Sequence, residues 1–281
     1  MNSPFATAAP PGHFHSPLPD LREIKARDSE LFDQRMTDCP SVDLNDEVQK
    51  GLFEQFVAYY GDLPFPEKAT AGFRYHFDND YFSFGDAIIL YSFLRHFRPS
   101  RVVEVGSGYS SGVMLDTSAR FLQRAPSFTF IDPHPERLHG LLLPHDKDTS
   151  QILTVPVQRL QLEHFQELRE SDILFVDSSH VVRIGSDVSY LVFEVLPSLA
   201  AGVIVQFHDV LWPFQYPRDW VHRGCAWNEA YFLRSFLQYN DTFEILFFND
   251  YFAKKFGRDV KEHMPLMLRN PGGGLWLRKK R

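Results

Sequence analysis

The pattern of hydrophobic residues changes character near Arg101. Before that point apolar residues recur at helical spacing, as with Leu52 and Phe56 in a helix predicted over 48–60, and a second amphipathic helix is predicted over 85–97. After it, short β-branched and aromatic runs alternate with helical segments. Such alternation predicts an α/β fold, in which a parallel sheet carries helices on both faces.

The apolar runs of the second part define the strands of this sheet. Five of them are predicted as parallel strands, at 101–105, 128–131, 152–155, 173–176 and 203–207. Two more runs follow, at 243–248 and 275–278, with no clear crossover helix between them. Because a parallel neighbour needs a crossover connection, the last strand is predicted to be inserted antiparallel.

The chain is predicted to consist of three parts. Residues 1–45 are rich in proline and mixed charge and are predicted to form an extended N-terminal arm, which could pack on a second subunit of a homo-oligomer. Residues 46–100 form a helical N-terminal cap, and residues 101–281 form the catalytic domain.

Charge and composition narrow the function. The 281 residues carry 29 Lys and Arg against 36 Asp and Glu, a net charge of −7, which argues against nucleic acid as the main ligand. The two cysteines, Cys39 and Cys225, make no metal-ligand spacing, and a reducing cytoplasm is expected. The longest apolar stretch, 188–207, is interrupted by polar and turn residues, so no membrane span is predicted.

A glycine-rich turn after the first predicted strand carries the strongest chemical signal. Gly106 and Gly108 allow a ligand to approach the backbone, and the helix that follows presents free N–H groups to an anionic group. Asp132 ends the next strand, 24 residues beyond Gly108, where a carboxylate can bind both hydroxyls of a ribose. The two features together predict a nucleoside-binding site. The alternative is an ordinary tight turn with a capping aspartate.

The identity of the nucleoside follows from the details of this turn. Ser111 stands where a dinucleotide fingerprint requires its third glycine. The sequence Glu104-Val-Gly-Ser-Gly instead resembles motif I of the class I S-adenosylmethionine-dependent methyltransferases. This resemblance implies a Rossmann-like, seven-stranded, mostly parallel sheet with an antiparallel last strand. It also implies that the following residues contact the cofactor: Glu104, Gly106, Ser107, Gly108, Tyr109, Ser110, Asp132 and Asp177.

Two further strand ends carry acidic residues and histidines. Asp177 and His180 follow the fourth strand, and His208 and Asp209 follow the fifth, so both pairs emerge at the carboxyl edge of the sheet. The pattern resembles small-molecule O-methyltransferases, including those that act on macrolide sugars. The resemblance implies that Asp177 and Asp209 bind Mg²⁺ or another divalent cation, and that Asp177 and His180 are catalytic, with His180 the general base.

The metal and catalytic assignments have alternatives. His208 stands where those enzymes more often carry a second acid, and a hard cation such as Mg²⁺ prefers oxygen ligands. Asp177 and Asp209 could instead be ordinary strand-end residues, and His180 a capping or surface histidine. An aromatic segment, 212–220 with 227–229, is either a lid or platform for the acceptor or part of the core.

The sequence therefore predicts a cytoplasmic methyltransferase that uses S-adenosylmethionine. The reaction is predicted to be O-methylation of a small-molecule or glycan hydroxyl, with neither nucleic acid nor a membrane as partner. Three alternatives stay open at this point: a nicotinamide-dependent oxidoreductase, a non-catalytic cofactor-binding relative and a related hydroxylase.

Overall fold

A single mixed sheet organises the chain. The computed structural model describes residues 8–33 and 38–281, so parts of the predicted arm, residues 1–7 and 34–37, lie outside the described residues. The strands of the sheet are β1 (Arg101–Val105), β2 (Ser127–Ile131), β3 (Ser150–Leu153), β4 (Ile173–Val176), β5 (Ile204–Phe207), β6 (Phe243–Phe248) and β7 (Leu275–Lys279).

The strand order confirms the predicted fold class. The strands lie in the order β3-β2-β1-β4-β5-β7-β6. β7 is antiparallel to both of its neighbours, β5 and β6, whereas the pairs among β1 to β5 are parallel. The register places Val105 beside both Ile131 and Val176, so that three strands end level with one another. The residues that follow these strand ends are thereby brought to one edge of the sheet.

Helices cover both faces. Those before the first strand are α1 (Leu21–Ala26), α2 (Asp28–Phe32), α3 (Asp46–Tyr60) and α4 (Phe84–Phe97). Those between the strands are α5 (Tyr109–Phe121), α6 (Glu136–Leu141), α7 (Asp146–Thr149), α8 (Glu163–Gln166), α9 (Asp187–Tyr190), α10 (Leu196–Ser198), α11 (Arg218–His222), α12 (Glu229–Leu237), α13 (Asn249–Lys255) and α14 (Gly257–His263). A π-helical turn, Leu191–Val195, joins α9 to α10, and short 3₁₀ turns lie at Val157–Arg159 and Pro265–Arg269.

The connection between the last two strands contains helices that the sequence analysis did not predict. Two helices, α13 and α14, lie between β6 and β7, where the sequence indicated no clear crossover helix. Each is only 7 residues long, too short to display a helical repeat of apolar positions. The antiparallel insertion of β7 is nevertheless as predicted.

The core lies in two layers, one on each face of the sheet. On one face, α3 and α4 of the predicted cap pack with α5 on aromatic residues of the strands, and the Phe93 and Trp276 rings stack 3.8 Å apart. On the other face, α9, α10 and α12 cover Val103, Leu174 and Val205. Side chains along β1, β4 and β5 point alternately to the two faces of the sheet, so each of these strands contributes residues to both layers.

The N-terminal region covers the edge strand β6 of the sheet and contacts α11. Asn45 donates a hydrogen bond to the Ile245 carbonyl, at 2.9 Å, and Gln49 accepts one from the Phe248 N–H, at 2.9 Å, so both satisfy edge groups of β6. In α2, Asp28 forms ion pairs with Arg218 and His222.

Among the described residues, no helix is long and apolar enough to cross a membrane.

Candidate active site

The glycine turn, residues 106–110, follows β1 and requires a glycine at its first position. Gly106 has φ +81°, and a Cβ added there would lie 1.7 Å from the Asp177 carbonyl oxygen. The Gly106 N–H donates to the Ile131 carbonyl at 2.9 Å. Because no side chain intervenes, the backbone after β1 packs directly on the backbone after β4.

Glu104 is buried beneath this turn. Its carboxylate accepts hydrogen bonds from Ser110 Oγ at 2.5 Å and from Ser111 Oγ, and Ser111 Oγ in turn accepts the Gly108 N–H at 3.0 Å. Burial raises the pKa of Glu104 to about 8, although the two serine hydrogen bonds oppose the shift. Glu104 and Ser110, predicted as cofactor contacts, thus brace the start of α5 from behind the turn.

Asp132 lies beside the turn at the end of β2. Its Oδ2 accepts hydrogen bonds from the Ser107 N–H at 3.0 Å and from Ser107 Oγ at 2.8 Å, while Oδ1 accepts the His134 N–H at 2.8 Å. These hydrogen bonds join the glycine turn directly to the end of β2, although α5 separates the two segments in the sequence. The sequence anticipated this juxtaposition, since the carboxyl ends of adjacent parallel strands meet.

A cavity of about 520 Å³ opens at this edge of the sheet. It joins four of the residues predicted to contact the cofactor, and its lining includes Gly106, Ser107, Asp132, Asp177, Val157, Gln158 and Asp187. Its volume falls within the range of small-molecule sites. The glycine turn and the ribose-type aspartate thus share one cavity.

A stack of side chains over the turn was missed by the sequence analysis. Arg137 also lines the cavity, and its guanidinium lies 3.8 Å from the ring centroid of Tyr81. The Tyr81 ring stacks in turn on Tyr109, with centroids 6.1 Å apart. Tyr109 of the predicted cofactor set does not itself line this cavity, and Tyr81 and Arg137 lie between the two. No motif signals Arg137, because its position depends on how α6 packs beside α5.

Asp177 also belongs to a second group of side chains, the acid–imidazole cluster, which consists of Asp177, His180 and Asp209. His180 and Asp209 do not line the cavity. His180 Nε2 is 3.5 Å from Asp177 Oδ1 and 3.6 Å from Asp209 Oδ2. One ligand atom from each of the three residues lies within 4.8 Å of the others. His180 and Asp209 both adopt left-handed φ values, +58° and +56°, a conformation that non-glycine residues hold mainly where surrounding structure imposes it.

Glu229 of α12 holds the imidazole in place. Its Oε2 lies 2.9 Å from His180 Nδ1, and the Asn228 and Glu229 N–H groups donate to the His180 carbonyl. The Trp227 ring packs on the imidazole at 4.5 Å. Glu229 was not predicted as a site residue, although it is the last residue of the segment that the sequence singled out. Its neighbour Trp227 is the part of that segment that reaches the cluster, since Trp212, Phe214 and Tyr216 are buried in the core.

Charges within the cluster are strongly coupled. Burial disfavours protonation of His180, but Asp177 and Glu229 outweigh burial and raise its pKa to about 10. Burial would raise the pKa of Asp177, whereas His208 and His180 hold it far below its usual value. An imidazole with that pKa carries a proton at neutral pH, so His180 forms ion pairs with Asp177 and Glu229.

His208 lies behind the cluster and is also buried. Its Nδ1 is 3.3 Å from Asp177 Oδ1, and its Nε2 is 3.4 Å from Asp86 Oδ2, yet neither ring nitrogen makes a hydrogen bond within the described residues. The Gly273 N–H and Asn249 Nδ2 donate to Asp86 at 3.0 and 3.2 Å. Asp86 is thus buried and lies on the Nε2 side of the His208 ring, opposite Asp177.

Comparison with known proteins defines the class. Residues 103–210 match a family model described as a methyltransferase domain, and this segment runs from β1 through β5 and includes the glycine turn, Asp132 and the acid–imidazole cluster. An uncharacterized protein of Archaeoglobus fulgidus is 31% identical over 169 residues, which cover 58% of this chain and 75% of the relative. The chain belongs to this methyltransferase family, and the prediction of a class I S-adenosylmethionine-dependent methyltransferase is confirmed.

Several solved structures are similar to the chain. The S-adenosylhomocysteine-bound methyltransferase PaMTH1 of Podospora anserina is 14% identical, with a TM-score of 0.45, over 94% of this chain and 98% of that chain. The O-methyltransferase TomG of Streptomyces achromogenes, in complex with S-adenosylmethionine, is 14% identical, with a TM-score of 0.43, over 92% of this chain and 96% of that chain.

Proposed function

We propose that the chain transfers the methyl group of S-adenosylmethionine to a hydroxyl oxygen of a small molecule or glycan. The observation that carries this proposal is the position of Asp177, which lines the cofactor cavity and also belongs to the acid–imidazole cluster. A methyl group bound in the cavity would lie beside groups that can prepare an oxygen nucleophile. Methyl transfer needs this proximity, because the sulfonium already carries its own leaving group.

The chain's own groups would orient the cofactor within the cavity. Asp132 is positioned to accept hydrogen bonds from the ribose hydroxyls in place of those from Ser107. The backbone of Gly106 and Ser107 would lie against the amino-acid portion. Asp177 carries a negative charge at the edge of the cavity, which favours a positively charged sulfonium.

The acid–imidazole cluster also fits a divalent cation. Two carboxylates and an imidazole nitrogen converge within 4.8 Å, and such groups are common metal ligands. A cation held by Asp177, His180 and Asp209 would lower the pKa of an acceptor hydroxyl. Deprotonation by His180, as the sequence predicts, would require the neutral imidazole, which the carboxylates of Asp177 and Glu229 disfavour.

The surroundings of the cluster favour a neutral acceptor with a flat apolar face. Trp227 packs on His180, and Trp220 packs on Trp227 at 5.4 Å, which supplies aromatic surface for a ring to stack on. The concentration of carboxylates disfavours an anionic acceptor. Self-association and a cytoplasmic location stay predictions of the sequence.

Calorimetry with S-adenosylhomocysteine tests the cofactor assignment. The wild-type chain should bind it at a single site, and Asp132→Asn should bind at least about tenfold more weakly, because hydrogen bonds to a charged group are lost. Asp148→Asn, which alters an exposed carboxylate on α7, is the matched control and should bind as wild type. Binding of NAD in place of S-adenosylhomocysteine would contradict the proposal.

A further inference from the structure

The cavity beside the glycine turn contains an excess of negative charge. Its lining includes three carboxylates, those of Asp132, Asp177 and Asp187. Among the described residues that line it, Arg137 is the single lysine or arginine. S-adenosylmethionine itself carries a sulfonium, an ammonium and a carboxylate. The carboxylates of the cavity favour the two cationic groups and repel the carboxylate of the cofactor, so that carboxylate needs a permanent positive charge such as the Arg137 guanidinium beside it.

Arg137 lies directly against the glycine turn. A Cβ added at Gly108 would lie 2.9 Å from Arg137 Cδ and 3.8 Å from its Nη1, so the arginine side chain occupies the space that a larger residue at this position would fill. The proposed function puts the amino-acid portion of the cofactor against Gly106 and Ser107, which immediately precede Gly108 in the chain. The guanidinium therefore lies beside the segment on which that portion would rest.

An aromatic ring holds the guanidinium by its face. The guanidinium carbon of Arg137 lies 3.8 Å from the Tyr81 ring centroid, and among the described residues its partner is this ring rather than a carboxylate. Tyr81 stacks on Tyr109 at an interplanar angle of 14°, and Asn79 Oδ1 accepts the Tyr81 N–H at 3.1 Å. A guanidinium stacked in this way presents its N–H donors at its edge, where they can bind a carboxylate through two hydrogen bonds.

We infer that Arg137 binds the carboxylate of the cofactor's amino-acid portion, and that Tyr81 is a positioning residue that orients the guanidinium. The inference rests on the proposed function and deepens it, because it concerns the same cavity. It makes the charged end of the cofactor, and not only its adenosine, a determinant of specificity. A nucleoside that keeps the ammonium but lacks the carboxylate would bring that ammonium beside an uncompensated cation.

Calorimetry of the full chain with two nucleosides tests this assignment. Decarboxylated S-adenosylhomocysteine keeps the adenosine, the thioether and the ammonium of S-adenosylhomocysteine and lacks only the carboxylate. Wild type should bind S-adenosylhomocysteine at least about tenfold more tightly than the decarboxylated form, because charge-assisted hydrogen bonds are lost. Arg137→Gln should reduce this preference to about twofold or less, by weakening the binding of S-adenosylhomocysteine alone. Arg124→Gln, which alters an exposed arginine outside the cavity, is the matched control and should keep the wild-type preference.

Two results would overturn the assignment. Equal losses of affinity for both nucleosides in Arg137→Gln would mean that Arg137 does not distinguish the carboxylate from the rest of the nucleoside, and unchanged affinities would mean that it contacts neither. Retained binding of the decarboxylated form shows that the variant is folded around an intact cavity. A wild-type chain that binds neither nucleoside contradicts the proposed function as well, whereas one that binds S-adenosylhomocysteine without regard to Arg137 contradicts this inference alone.

Variants of Tyr81 test its positioning role. Tyr81→Leu removes the ring face and should weaken the binding of S-adenosylhomocysteine about two- to fivefold without weakening that of the decarboxylated form. Tyr81→Phe keeps the ring and should bind both nucleosides as wild type does. Added NaCl should weaken the binding of S-adenosylhomocysteine to wild type more than to Arg137→Gln, since salt screens the ion pair. Equal effects of Tyr81→Leu on both nucleosides would mean that the ring only supports the wall of the cavity.

Discussion

The glycine turn and the acid–imidazole cluster share Asp177 but are built in opposite ways. In the turn, polar groups satisfy one another: Glu104 accepts two serine hydroxyls, and Asp132 accepts both hydrogen-bonding groups of Ser107. In and behind the cluster, Glu229 Oε1 and both nitrogens of His208 are buried without a hydrogen-bond partner in the described part of the chain.

We interpret the turn as a part of the site that supports the fold and the cluster as the part that the proposed function assigns to ligands. The turn closes a connection between neighbouring strands, so its hydrogen bonds stabilise the sheet whether or not a cofactor is bound. The cluster gathers carboxylates around buried histidines, two of its residues have positive φ, and several of its buried polar atoms lack a partner within the described residues. Substitutions in the turn should therefore alter the free energy of unfolding far more than substitutions in the cluster.

The largest effect is expected at Gly106. Gly106→Ala places a methyl group against the Asp177 carbonyl and forces alanine to adopt φ +81°, so the free energy of unfolding should fall by about 3 kcal/mol or more. Urea unfolding measures this change. Gly140→Ala, in a helix where an added Cβ meets nothing within 4 Å, is the control and should be neutral or stabilising by up to about 1 kcal/mol.

A pH-dependent effect of the same order as that of Gly106→Ala is expected at Glu104. Its pKa is about 8 in the folded chain against 4.5 as a reference, so the unfolded chain releases this proton first as the pH rises. The group therefore lowers stability progressively between pH 4.5 and about 8, by about 1.4 kcal/mol for each unit of pKa difference. Above that range its contribution is constant.

Glu104→Gln removes this titration while it keeps hydrogen-bonding atoms for both serines. Urea unfolding at pH 5 and pH 8 should show a smaller loss of stability in the variant than in wild type. Glu136→Gln, an exposed carboxylate on α6, is the matched control and should leave the pH dependence unaltered. Equal slopes for wild type and Glu104→Gln would mean that Glu104 is ionised beneath the turn.

The smallest effect on stability is expected at Asp209. Its carboxylate accepts no hydrogen bond from the described residues, and asparagine tolerates its φ of +56°. Asp209→Asn should therefore change the free energy of unfolding by less than about 1 kcal/mol in urea. A loss as large as that of Gly106→Ala would show that the cluster supports the fold as much as the turn does.

The local sequence predicted most of the sheet, because each strand is an apolar run bounded by turn residues. β1, β4 and β6 lie where the pattern indicated, β2, β5 and β7 differ by one residue at one end, and β3 is shifted by two residues. The main failure, at α13 and α14, occurred where two short helices carry too few turns for periodicity to be visible. The register of parallel strands then explains why Asp132 and Asp177 could be placed at one edge.

Glu229 and Arg137 mark the limit of this approach. Glu229 lies 49 residues beyond His180, and Arg137 meets Tyr81 across 56 residues. Neither spacing belongs to a motif, since each contact depends on how a helix packs against distant parts of the chain.

What the sequence determined by itself is the class of protein: the strand and helix pattern, the glycine turn and the aspartates that end neighbouring strands are all local features of the chain. Tertiary structure alone decided how the site is completed. Whether His180 is free or held by Glu229, and whether Glu104 faces the cavity or braces the turn, depends on burial and on contacts between distant segments. Those contacts exist only once the helices have packed on the sheet, because packing sets which polar groups lose water and which partners replace it.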